Sequence, residues 1–182
     1  MEQRPDVRAA REAHIWLQTF VAATVALVLL FVFVGRPVMV DGDSMLPTLQ
    51  DRELMLVRQA GYTPQPGDVV VLRKEFRNVT GPIVKRIIAV EGQNVEIDYA
   101  AGTVAVDGVV LTEDYILEPM VRQSWQTVTT LTVPEGRVFV MGDNRNISDD
   151  SRDEALGAVE EAYILGQAVA VLFPFQNFGA IS

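Results

Sequence analysis

Residues 15–34 carry no charged side chain and only three polar ones, Gln18, Thr19 and Thr24, across 20 positions. As a helix rising about 1.5 Å per residue, this run reaches about 30 Å, the thickness of a bilayer's hydrocarbon core. A cleaved leader would have a shorter apolar region, about 7–15 residues, closed by a small-x-small site. Here the run ends Phe33-Val-Gly-Arg-Pro37 with no such site. A buried helix of a soluble domain would carry an amphipathic stripe, which is missing. The run therefore predicts a retained anchor over 15–34, with the lipid bilayer as a partner. Arg4, Arg8 and Arg11 precede it, and Arg36 and Arg52 follow it. That bias places residues 1–14 in the cytoplasm and residues 35–182 outside the cell membrane.

The net charge of −9 belongs entirely to residues 35–182, where 12 basic residues face 21 acidic ones. An acidic domain without basic clusters excludes nucleic acid as the expected partner. With no cysteine, disulfides, thiol nucleophiles and cysteine-based metal sites are excluded together. A single histidine, His14, argues against zinc or haem, so no metal or cofactor is expected.

Beyond the anchor the chain reads as short strands rich in β-branched residues, at 36–41, 54–58, 67–73, 83–90, 137–142 and 168–173, with 94–98 and 103–110 read as hairpins with Gly turns at Ala101-Gly102 and Asp107-Gly108. Only Ser151 to Ala162 has helical character. The expectation is a mostly β catalytic domain, a barrel or sandwich, with residues 93–135 as a small β insertion.

Ser44 sits in Asp41-Gly-Asp-Ser-Met-Leu-Pro-Thr-Leu49. As a nucleophile it needs a base, and no histidine follows it to complete a triad. The second glycine of a G-x-S-x-G elbow is also missing. Lysine is left, and the chain has two, Lys74 and Lys85. Strand alternation puts Ile83, Lys85 and Ile87 on one side and Val84, Arg86 and Ile88 on the other. An amine among isoleucines loses its hydration, which favours the neutral form. A base poised near neutral pH needs a fall of roughly 3 units from about 10.4, equivalent to about 4 kcal/mol. Lys74, beside Arg73, Glu75 and Arg77, is expected in a wet charged loop. Periodicity alone leaves the plainer alternatives open: a turn serine before Pro47, and a strand lysine that snorkels to water. A third segment, Met141-Gly-Asp-Asn-Arg-Asn-Ile-Ser-Asp-Asp-Ser-Arg152, reads as a solvated turn or as a buried polar network beside a site.

Together these segments resemble the conserved boxes of the type I signal peptidases, membrane-bound serine–lysine proteases. The matching stretches are Ser44-Met-Leu-Pro-Thr-Leu49, Gly67-Asp-Val-Val-Val71, Val84-Lys-Arg-Ile-Ile88, and Gly142-Asp-Asn-Arg145 with Ser148-Asp-Asp-Ser-Arg152. They stand in the family's order behind an N-terminal span, and the resemblance runs to about residue 175. It implies Ser44 as nucleophile, Lys85 as general base and Ser148 as the hydroxyl that orients the amine. It further implies structural ion pairs among Asp143, Arg145, Asp150 and Arg152, with Arg86 a partner for Asp143. Gly42 stands where some members carry a serine that helps form the oxyanion hole, so the backbone N–H of Ser44 is expected to serve.

The resemblance implies exported preproteins as substrates, cut after small residues at positions −1 and −3. An extended signal peptide would add as a strand between 37–41 and 82–84, walled by Met39, Val40, Asp41, Pro82, Ile83 and Val84. Two other classes of protein compete with this expectation. A self-cleaving repressor would need a DNA-binding head where the anchor stands. A catalytically idle, membrane-anchored β-domain would act as an adaptor.

Overall fold

The computed structural model describes residues 5–33, 35–74 and 81–181. Arg4, Val34, Glu75 and Arg77, named above, lie outside the described residues. The apolar run forms helix α1, Pro5–Phe33, which begins well before the expected anchor and takes in its charged approach. Its stretch Ala9–Leu29 is long and apolar enough to cross a membrane, and none of it is buried against the protein. The hydroxyls of Thr19 and Thr24 donate to the carbonyls of Ile15 and Phe20, four residues back, each at 2.9 Å. Both are thereby satisfied without water or a second helix.

Among the described residues twelve strands follow, and every pairing is antiparallel. The main sheet holds β1 (Arg36–Met39), β2 (Leu54–Arg58), β3 (Val69–Leu72), β4 (Ile83–Val90), β9 (Arg137–Met141), β10 (Val159–Glu160), β11 (Ile164–Phe173) and β12 (Gly179–Ala180). Its order is β1-β2-β11-β3-β4-β9-β10, with β12 against β11. Register shifts in β11 and in β4, between Ile87 and Ala89, bend these strands. A second sheet has the order β7-β6-β5-β8, from β5 (Asn94–Asp98), β6 (Thr103–Val106), β7 (Val109–Val110) and β8 (Thr130–Thr132). Asp107 and Gly108, at φ 52° and 77°, make the tight β6–β7 turn, a conformation this pair adopts readily.

The alternation in sequence becomes burial. On β5, Val95 and Ile97 point inward between exposed Glu96 and Asp98. They pack with Phe139 and Met141 of β9 and with Ile88 and Ala89 of β4, joining the second sheet to the first. A second cluster gathers Met45, Leu49, Met55, Val57, Val69 and Val71. A third holds Val70, Leu72, Ile87, Val138, Val140 and Val159 on the other face of β3 and β4. Strand β4 is therefore covered on both faces, and its residues 85–89 are buried.

Residues 151–162 do not form the expected helix. Ser151 is tied to β9 through Val140, backbone and hydroxyl alike, and Val159 pairs with Val138 as β10. Edge pairing to β9 satisfies backbone groups that a lone short helix would leave open, and only a single 3-10 turn remains, at Glu161–Tyr163.

Candidate active site

Strand β4 brings Lys85 to the centre of the main sheet, opposite Val70 of β3. Ile83, Ile87 and Val70 pack in one cluster and Val84 in another, as alternation along β4 requires. Lys85 is 3% exposed and its Nζ donates to Ser44 Oγ at 2.7 Å. Burial lowers the amine's pKa to about 8, against the opposing pull of the Asp150, Asp149 and Asp143 carboxylates; the Arg152 guanidinium lowers it further. A strand lysine between two cores cannot snorkel, which disposes of the plainer alternative.

Ser44 lies in the turn after β1. Leu46 N–H donates to Asp43 O at 3.2 Å and Leu49 N–H to Met45 O at 2.9 Å, while Met45 and Leu49 anchor the turn in the core. Gly42 N–H donates to Asp51 Oδ1 at 2.9 Å. Among the described residues the Ser44 N–H finds no acceptor, so this donor stays available beside the hydroxyl.

The loop after β9 closes over the serine from the other side. Asn144 N–H donates to Ser44 O at 3.1 Å, and Asn144 Nδ2 donates to Asp43 O at 3.1 Å. Gly142 passes so close that a Cβ there would collide with Ser148 Oγ and Ser44 O. Asp150 Oδ2 accepts from Gly142 N–H at 3.0 Å. Ser148 is fully buried next to Gly142, but its hydroxyl makes no hydrogen bond to Lys85 or to any other described side chain.

Three buried ion pairs hold this loop. Arg86 grips Asp143 through Nε at 2.9 Å and Nη2 at 2.8 Å, and Thr48 Oγ1 donates to the same carboxylate at 2.5 Å. Arg152 grips Asp150 at 2.8 and 2.7 Å. Burial would raise the Asp150 carboxyl's pKa, but the Arg152 guanidinium outweighs it and holds the carboxyl below its usual range. Arg145 departs from the expected pairing among neighbours. It pairs with Glu113, whose two oxygens lie 2.9 and 2.6 Å from its guanidinium nitrogens. Glu113 stands 32 positions earlier, in the connection from β7 to β8, and no local pattern in the sequence marked it.

A groove of about 280 Å³ leads to Ser44 and is lined by Val38, Met39, Asp41, Pro82, Ile83 and Val84. Val40, expected in its wall, is instead 3% exposed in the core, its N–H bonded to Glu53 O at 2.8 Å. Alternation along β1 sends Met39 outward and Val40 inward. Among the described residues strand β1 pairs only with β2, so the backbones of 37–41 and 82–84 flank the groove without pairing to each other. Lys74 is not a fully wet residue: it is half-buried, donates to Leu156 O at 2.7 Å, and has its pKa lowered by burial and by Arg137. Among the described residues no cluster of histidine, cysteine or carboxylates could hold a metal.

A family model described as signal peptidase, peptidase S26, matches residues 13–173. A probable signal peptidase I-1 of Synechocystis is 39% identical over 88% of this chain and 82% of its own length. A signal peptidase I of Bacillus licheniformis is 34% identical over 89% of both chains. The crystal structure of a signal peptidase I from Enterococcus faecalis, 32% identical, covers 58% of this chain and 97% of its own with a TM-score of 0.47. With the family model matching most of its length and such relatives covering nearly all of it, the chain belongs to the signal peptidase family, peptidase S26.

Proposed function

We propose that this chain is a membrane-anchored serine endopeptidase that removes signal peptides from exported preproteins with a Ser44–Lys85 dyad. The family is one of serine endopeptidases of the signal peptidase I type, and membership does not favour an idle adaptor. The observation that carries the reading is a buried amine, its pKa lowered to about 8, 2.7 Å from a hydroxyl at the end of an open groove.

Neutral Lys85 accepts the Ser44 Oγ proton as Oγ adds to the substrate's carbonyl carbon. The Ser44 N–H donates to the developing oxyanion. As the tetrahedral species collapses, the C–N bond breaks and the Lys85 ammonium gives its proton to the leaving amine. Lys85, neutral again, then takes a proton from water, whose oxygen attacks the acyl ester, and Ser44 Oγ leaves with that proton. Ser148, buried beside Gly142, has an uncommitted hydroxyl available to orient the amine. An extended substrate adds its backbone between 37–41 and 82–84, and the shallow groove walled by Met39, Ile83 and Val84 selects small side chains.

Anchoring rests on α1 and on exposed Phe173, Phe175 and Phe178, which cluster where β11 ends beside exposed Met39. The basic residues before the span keep the N-terminus in the cytoplasm and the catalytic domain outside. Protease added outside intact cells would then degrade residues 35–182 and spare the N-terminus, and the reverse pattern would overturn the orientation.

The decisive experiment incubates the detergent-solubilised chain with a preprotein and reads the new N-terminus by mass spectrometry. Cleavage is expected after small residues at −1 and −3, and to vanish in Ser44→Ala and Lys85→Met. Cleavage that survives in either variant removes the assigned pair.

A further inference from the structure

We infer that Glu113 and Tyr115, from the β7–β8 connection, are positioning residues: they brace the 142–145 loop and so set the approach of Ser44 to Lys85. The inference rests on the dyad reading above and gives the second sheet a task in catalysis.

The brace has four contacts. Glu113 receives both terminal nitrogens of the fully buried Arg145 guanidinium, at 2.9 and 2.6 Å. Tyr115 OH donates to Glu113 Oε1 at 2.9 Å, fixing the carboxylate's orientation. The Tyr115 ring lies 4.1 Å from Arg86 Cζ and 5.9 Å from Arg145 Cζ, so its face meets two buried cations. Leu117 N–H donates to Asp143 O at 3.3 Å.

The far side of the same loop touches the site. Arg145 Nε donates to Gly142 O at 3.2 Å, and Arg86 grips Asp143. Gly142 lies against Ser44 O and Ser148, and Asn144 bonds to the backbone of Asp43 and Ser44. Residues 142–145 are thus clamped between the serine's turn and the 113–117 segment. Arg86 also directly follows Lys85 on β4, so the Tyr115 ring meets the strand that carries the amine. A filler role would ask only for apolar volume at 115. Two guanidinium groups, Arg86 held by Asp143 and Arg145 by Glu113, ask for an aromatic face between them and for a fixed anion at 113. Without them a buried cation loses its counter-charge and the loop must move to rehydrate it.

Displacements of about 1 Å at a reacting pair reduce turnover by up to about a hundredfold. The test measures kcat and KM of the full chain in detergent on a preprotein-derived peptide, for Glu113→Gln, Tyr115→Leu and Tyr115→Phe. Rates are normalised to the folded fraction from urea titration. Glu113→Gln keeps the shape and removes the charge, so it reads out even where Tyr115→Leu fails to fold. We expect kcat to fall about tenfold or more in Glu113→Gln and Tyr115→Leu, with KM within twofold of the parent. Tyr115→Phe, which keeps the ring, restores most of the rate. Folded Glu113→Gln with the parent's kcat overturns the inference, as does a loss in Tyr115→Leu that Tyr115→Phe does not repair. Lys85→Met runs alongside: if it retains activity, the dyad reading fails by itself, independently of the brace.

Discussion

Moving the assay from pH 9 to pH 6 should titrate one buried amine. The pKa of Lys85 is lowered to about 8, chiefly by burial, with Asp150, Asp149 and Asp143 holding it from falling further. A base with that pKa is about 90% neutral at pH 9, about 10% at pH 7 and about 1% at pH 6. The value of kcat/KM should therefore drop about tenfold per unit below pH 8, and about ninetyfold across the range. Asp149→Asn removes one carboxylate that favours the ammonium, so its acid limb should shift to lower pH. The same titration appears in stability. The unfolded lysine titrates near 10.5 and the folded one near 8, so between these values the unfolded chain binds a proton that the folded chain has released. Stability contributed by this group is lowest below pH 8 and rises as pH increases. At about 1.4 kcal/mol per unit, the gain from pH 8 to pH 10 is about 2 kcal/mol. Urea unfolding at the two pH values measures it, and Lys85→Met should remove about 2 kcal/mol of the difference, leaving what Lys74 and other titrating groups contribute. The assay for activity is initial-rate cleavage of a labelled signal-peptide substrate at constant ionic strength. A profile level from pH 9 to pH 6, or a stability slope unchanged in Lys85→Met, would refute the reasoning.

Gly142→Ala should destabilise the protein by about 1–3 kcal/mol and depress cleavage, because its Cβ meets Ser148 Oγ and Ser44 O. Adding Ser148→Gly removes both the Oγ and the Cβ that this methyl meets, leaving the contact with Ser44 O, and should recover part of the stability in thermal unfolding; no recovery speaks against the collision. Asp143→Asn leaves the Arg86 guanidinium buried beside a neutral amide and should lower stability by about 3–5 kcal/mol in urea titration. A change below about 1 kcal/mol would mean the pair is not desolvated as it stands here.

Much of the fold was legible because local rules suffice for it. The 54–58, 83–90 and 94–98 strands stand where β-branched alternation placed them, and Asp107-Gly108 made its turn. The separation of Ile83 and Ile87 from Val84 on β4 followed from the same period of two. The strands β8, β10 and β12 were not legible, being two or three residues long and formed only because a partner edge was waiting. The helix expected over 151–162 failed for the same cause. In the site, Arg86 with Asp143 could be paired from the sequence because both lay in recognisable boxes. Arg145 with Glu113 could not, since its partner lies in a segment with no pattern of its own.

The sequence by itself determined the apolar span, the lack of any thiol, and the short list of one serine and two lysines. It could do so because composition and period are properties of neighbours along the chain. Only the tertiary structure decided which lysine is dry and lies 2.7 Å from that serine, that Lys74 is half-buried too, and that a distant glutamate holds Arg145. Desolvation and ion pairing depend on what surrounds a side chain on all sides, and here that surrounding comes from both faces of β4 and from two sheets far apart in sequence.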